Sequence, residues 1–137
     1  MESMTLFTQK PLTINEIAIS AMKAGFKTYF SPNVKNSLMV EFVVEQSGRF
    51  FNGTTQFGGT DFLELYATNP ELLGDEQLAA IERYNPIGAI AIAFQPVTLE
   101  IIFPLLKELM RDYDGLLLSH NSNMYTIDTI KSLMNEV

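Results

Sequence analysis

Apolar and polar positions alternate through residues 38–45, where Leu38, Val40, Phe42 and Val44 interleave with Met39, Glu41, Val43 and Glu45. A period of two belongs to a strand with one face buried more deeply than the other, so a strand is predicted there. Gln46-Ser47-Gly48-Arg49 supplies a polar turn, and Phe50 to Phe57 can return antiparallel to complete a hairpin. Ahead of this hairpin the period changes. Ile14, Ile17, Ala18 and Ala21 recur at helical spacing behind Thr13-Ile14-Asn15-Glu16. That tetrapeptide fits a capping box, in which the Thr hydroxyl and the Glu carboxylate each satisfy an orphan backbone N–H. Gly25 follows where a left-handed C-terminal cap belongs, and the spacing predicts a helix over 14–24. Short strands are predicted on either side, at Met4 to Thr8 and at Phe26 to Phe30, the second ending at Ser31-Pro32-Asn33.

After Gly58-Gly59 the pattern is less regular. Residues 60–86 contain apolar groups such as Phe62, Leu63, Leu65 and Tyr66, broken by Asn69-Pro70 and Gly74, and one or two short helices are expected, the better at Asp75 to Tyr84. Ile87 to Phe94 is almost wholly apolar, with large and small residues alternating, as in a central strand covered by helices. Leu99, Ile102, Phe103, Leu106, Leu109, Met110 and Tyr113 then form a stripe at three- and four-residue steps, which predicts a helix over about 97–113. Pro104 falls inside that stripe and should either kink the helix or mark a late start. Leu116 to Leu118 reads as a buried strand and His120-Asn121-Ser122-Asn123 as a polar loop. Ile127, Ile130, Leu133, Met134 and Val137 suggest a last amphipathic helix capped by Thr126.

Two strand–helix–strand units in one short chain, with no linker, repeat or low-complexity tract, imply a single α+β domain over residues 1–137. The expected architecture is a mixed or antiparallel sheet with helices mainly on one face, a ferredoxin-like arrangement carrying an irregular acidic insert.

Composition adds little to that fold but narrows the chemistry. The chain has 137 residues, 47% hydrophobic and 18% charged, enough to bury one ordinary core. With no cysteine there is no disulfide, thiolate metal site or cysteine nucleophile, and a reducing, cytoplasmic setting is expected. The first residues lack the basic start and apolar run of a secretory signal, and no apolar stretch approaches the ~20 residues of a membrane span. The net charge of -7 disfavours direct contact with nucleic acid, whose binding draws on Lys and Arg. Nearly all of the excess sits in residues 50–106, where Asp61, Glu64, Glu71, Asp75, Glu76, Glu82 and Glu100 face Arg83 alone. Such a field speeds encounter with a cationic partner, and it also suits a solvated surface that keeps an apolar protein soluble.

Candidate catalytic chemistry is sparse. His120 is the single histidine, and although Ser119 and Ser122 flank it, a triad requires convergence in space with a third orienting group. Asp112 and Asp114 near His120 match no calcium loop, and Asp-Tyr-Asp-Gly reads as a helix end and turn. The glycines form neither G-x-G-x-x-G nor a phosphate-binding loop, so no cofactor is implied. Arg49-Phe50-Phe51 sets a cation beside two aromatics, but without further basic residues core packing explains it better than base stacking. Met22, Met110 and Met134 fall on or near helical apolar faces and read as core filling. Asp61-Phe62-Leu63-Glu64-Leu65-Tyr66 interleaves acids with large apolar groups, a mixture that fits an interface centre with a charged rim and equally a buried helix edge.

The short acidic α+β character, with Tyr113-Asp114-Gly115-Leu116-Leu117 and Tyr125-Thr126-Ile127-Asp128-Thr129-Ile130 near the C-terminus, resembles small bacterial immunity proteins, including those of contact-dependent growth-inhibition systems. The resemblance implies a cytoplasmic, non-catalytic antitoxin that binds a basic toxin domain, often a nuclease, and blocks its active site. On that reading Asp61, Glu64, Glu71, Asp75, Glu76 and Glu82 would steer and pair with the partner and Tyr66 would anchor it. The alternatives are a small-molecule-binding domain or small enzyme with a pocket between sheet and helices, and a subunit assembling through a sheet edge or the C-terminal helix. Oligomeric state is left open by the sequence.

Overall fold

The structure, a computed structural model, describes residues 2–30, 37–46, 49–58, 69, 71, 73–95 and 98–136, with backbone alone for 42–46, 49–54 and 56. Its first strand, β1 (Glu2–Thr8), leads into helix α1 (Ile14–Lys23). The Thr13 hydroxyl accepts the Glu16 N–H at 3.2 Å, which is the predicted N-cap, while the Glu16 carboxylate accepts the phenol of Tyr113. Gly25 has φ of 90°, a conformation that costs glycine little, and lets the Phe26 N–H return to the Ala21 carbonyl at 3.0 Å. Strands β2 (Lys27–Phe30), β3 (Ser37–Gln46) and β4 (Arg49–Gly58) follow, with Gln46 opposite Arg49 as the predicted hairpin requires.

Helix α2 (Asp75–Tyr84) has the bounds expected from the sequence, and β5 (Gly88–Phe94) follows it. Helix α3 (Leu99–Tyr113) contains Pro104, so the proline does not mark the start of the helix. The residue is exposed, where water can reach the carbonyl that the missing N–H leaves free. Asp114 caps α3 in the left-handed region at φ 47°, and its N–H meets the Met110 carbonyl. A Cβ on the next residue, Gly115, would lie 2.8 Å from Leu6 Cδ1, so a side chain there would have to displace Leu6 where β6 (Leu116–Leu118) meets β1. A two-residue strand, β7 (Met124–Tyr125), was not foreseen.

The C-terminal element differs from expectation. Residues Ile130–Glu136 form a 3-10 helix, and Thr129 rather than Thr126 immediately precedes it. The Thr129 hydroxyl accepts the Thr126 N–H at 2.9 Å, and its carbonyl accepts the Ser132 N–H at 3.0 Å. Ile130 and Leu133, three apart, are the two fully buried residues of this element, and a three-residue turn stacks such positions directly over one another.

The seven strands make one sheet in the order β2-β3-β4-β5-β1-β6-β7, every pair antiparallel. This is an α+β fold, and its sheet is wider than the four strands of a β-α-β-β-α-β unit. Alternation along the central strands gives the sheet two apolar faces. Met4, Leu6, Ile90, Ile92, Phe94 and Leu117 pack with α1, α3 and the 3-10 helix. On the other face Phe7, Ala89, Leu116 and Leu118 pack with Ile81 of α2. Phe7, Phe57 and Phe94 are fully buried, and each such burial contributes about 1.5–3 kcal/mol. Among the described residues no helix is long and apolar enough to cross a membrane.

The β3–β4 hairpin is longer than its neighbours. β2 pairs with Leu38 to Glu41 of β3, and β5 with Gln56 to Gly58 of β4. Residues 42–46 and 49–54 therefore continue as a two-stranded ribbon flanked by no third strand among the described residues.

Candidate functional site

The acidic residues singled out from the sequence separate into two sets. Asp61, Glu64 and Tyr66 lie outside the described residues, whereas Glu71, Asp75, Glu76 and Glu82 are described and exposed. At about 100° per residue, Asp75, Glu76, Ala79, Glu82 and Arg83 share the outward side of α2, with Gln77, Ile81 and Tyr84 on the inward side. Asp75 and Glu76 also occupy the first turn and Arg83 the last, each where the helix dipole favours its charge.

The inward side holds the helix in place. Ile81 is buried against the second face of the sheet, with Tyr84 packed beside it. The Tyr84 hydroxyl donates to the Asp114 carbonyl at 2.8 Å, the Gln9 side chain donates to the Tyr84 carbonyl, and Gln77 Nε2 donates to the Ser122 carbonyl at 2.7 Å. Burial, reinforced by the Asp114 charge, pushes the Tyr84 phenol up to about 12. The exposed carboxylates of α2 are thus carried on a helix tied to β1, to the end of α3 and to the 119–123 turn.

A second polar group was not anticipated from the sequence. Ser119 is buried, accepts the backbone N–H groups of Asn121 and Asn123 at 3.3 and 3.1 Å, and donates to Glu136 Oε1 at 2.8 Å. Asn123 Nδ2 donates to the same oxygen at 3.2 Å, and the Tyr125 phenol donates to Glu136 Oε2. Burial alone would raise Glu136, but hydrogen bonds from Tyr125, Ser119, Asn123 and Asn121 outweigh it and hold the carboxyl below its ordinary range. Burial followed by the Glu136 interaction pushes Tyr125 up to about 12. The signal for this group was slight, because its members are spread over residues 119–136 and belong to three different elements.

His120 lies beside this group without joining it. Its ring is half-buried and meets Phe94 edge-on at 5.4 Å and 77°, and its Nδ1 is buried with no partner among the described residues. Ser119 Oγ gives its proton to Glu136 rather than to the imidazole. A carboxylate kept ionised by several donors is a weak base for activating a serine, so the geometry here favours fixing the turn over making a nucleophile. Asp114 serves as the left-handed cap of α3, and among the described residues no three His, Asp or Glu side chains gather as a metal site would require. No family model matches the chain, and neither the curated proteins nor the solved structures contain a match to it.

Proposed function

We propose that this protein is a non-catalytic binding protein of the immunity or antitoxin kind, which neutralises a basic toxin or nuclease domain through an acidic surface. The observation that carries the reading is the outward side of α2, where Asp75, Glu76 and Glu82 are exposed on a helix whose other side is anchored to the sheet. Carboxylates on an anchored helix require no ordering of the backbone on binding, and their field draws in a positively charged groove of the kind a nuclease needs for its substrate. Glu71, just before the helix, extends the same charge, and Asp61, Glu64 and Tyr66 complete the proposed partner-binding set. The setting proposed is the cytoplasm.

The test is capture of partners by the purified protein at low and moderate salt, beside the variant Asp75→Lys/Glu76→Lys/Glu82→Lys. The expected result is a basic protein retained by the native chain, weakened by salt and lost to the variant. Equal retention by both proteins, with equal salt dependence, overturns the role of α2.

A further inference from the structure

Among the described residues five large apolar side chains are exposed: Ile19 (52%), Met22 (60%), Tyr29 (43%), Phe30 (56%) and Ile87 (59%). Four of them gather at one edge of the fold. Tyr29 and Phe30 belong to β2, the strand at one end of the sheet, and Ile19 and Met22 belong to α1, which packs on β2 and β3. At about 100° per residue Ile19 stands midway between Glu16 and Met22, so the three form one row along α1 with Met22 on the side farther from Glu16. Glu16 is bonded to Tyr113 of α3, so Met22 marks the end of this row that turns away from α3. Phe30 shares a face with Phe26 by alternation, and Phe26 packs on the core beneath α1. Phe30, Ile19 and Met22 therefore stand on the same side of the sheet.

We propose that two copies of this chain associate through this edge, β2 pairing antiparallel with β2 of the second copy about a two-fold axis at Thr28. Opposed residues in an antiparallel ladder turn their amides the same way, so a strand pairs with its own copy only about a residue and never between two. An axis at Thr28 sets Lys27 opposite Tyr29 of the second copy and Phe30 opposite its Phe26, which lies just before β2. An axis at Tyr29 would set Phe30 opposite Thr28 and lose that aromatic pair. Lys27 is the sort of residue that discourages edge pairing, but in the Thr28 register it meets an aromatic ring instead of its own copy.

Area and charge both favour a second copy as the occupant. At roughly 100 Å² of exposed surface each, Ile19, Met22 and Phe30 present about 300 Å² on one side of the sheet, and Tyr29 adds about 100 Å² on the other. Pairing at a strand edge covers side chains on both faces, so two copies with the flanking strand backbone bury up to about 1,000 Å², where specific interfaces begin. Two molecules of charge -7 repel, yet α1, β2 and β3 at this end carry Lys23 and Lys27 against Glu16, Glu41 and Glu45, so little of the acidic excess lies here. The interface is isologous, as closed dimers require, and it leaves α2, on the opposite face of the sheet, free.

Sedimentation equilibrium of the full chain from about 1 to about 200 µM tests this, since association appears as a concentration-dependent mass. The expected mass is twice the 15.4 kDa of the chain. Met22→Glu/Phe30→Glu should weaken the dimer about 100-fold or more, the scale of losing buried anchors, while Ile87→Glu leaves it unchanged. A monomer throughout that range, or a dimer indifferent to Met22→Glu/Phe30→Glu, overturns the proposal. Should the double variant misfold by circular dichroism, hydrogen exchange of the native β2 amides decides. Protection that rises with protein concentration supports pairing, and protection independent of concentration overturns it.

Discussion

Replacing Ser119 with alanine removes one oxygen from a buried site and breaks three interactions at once. Its hydroxyl accepts two backbone N–H groups and donates to Glu136. A hydrogen bond to a charged acceptor contributes about 1.5–3 kcal/mol, and an orphaned buried N–H costs about 1–3 kcal/mol. Asn121 and Asn123 are exposed residues, so water can satisfy much of what their amides lose, and the expected destabilisation is about 2–3 kcal/mol. Urea unfolding at pH 7 of Ser119→Ala, Glu136→Gln and the double variant measures both this loss and the coupling, expected to be about 1 kcal/mol or more. The pH dependence follows from Glu136, whose carboxyl is depressed in the folded protein. Its contribution is complete above the unfolded carboxyl value and fades as pH falls through the lower folded one, so the Ser119→Ala deficit should shrink on acidification. A deficit below about 0.5 kcal/mol, or one equal in size with Glu136→Gln already present, would show that the group does not stabilise the turn.

Tyr84 and Tyr125 are both raised to about 12 in the folded state, so stability should hold up to pH ~10, the unfolded value, and decline as pH rises toward 12. Denaturant midpoints across that range check this, and Tyr84→Phe/Tyr125→Phe should flatten the decline. Thr13→Ala, which removes the cap on Glu16 N–H, should cost about 1 kcal/mol in thermal or urea unfolding, with the helix otherwise intact. Native-state hydrogen exchange should find the amides of 42–46 and 49–54 opening before those of β1 and β5, because a two-stranded ribbon is marginal without a third strand.

Elements whose signals are local were legible in the sequence. Thr13 and Gly25 bracket α1, the alternation from Leu38 to Glu45 marks β3, and the stretch Asp75 to Tyr84 reads as a helix before any contact is known. Ile127, Ile130, Leu133 and Met134 satisfy either helical period, so the sequence marks a helix here without distinguishing a 3-10 helix from an α-helix. β7 is two residues long and too short to show a period. Pro104 was ambiguous because local rules cannot weigh its lost hydrogen bond against a helix face that buries Leu99, Ile102, Leu105, Leu106, Leu109 and Met110. The acids of α2 could be named from composition, but their common outward side depends on which side Ile81 buries. The Ser119–Glu136 group depends on a sheet hairpin and a terminal helix meeting, which no spacing along the chain encodes.

The position of β1 has a consequence for how the molecule comes to be folded. It is the earliest strand in the chain, yet both of its neighbours, β5 and β6, lie in the second half, so Leu6 waits for Ile90 on one side and Leu117 on the other. During synthesis β2, β3 and β4 can zip together from adjacent segments, while β1, made before them, remains unpaired until β5 and β6 have followed. Closing loops of that length carries a late entropic cost, and folding should therefore be slow, ending with β5 and β6 locking on either side of a strand made well before them.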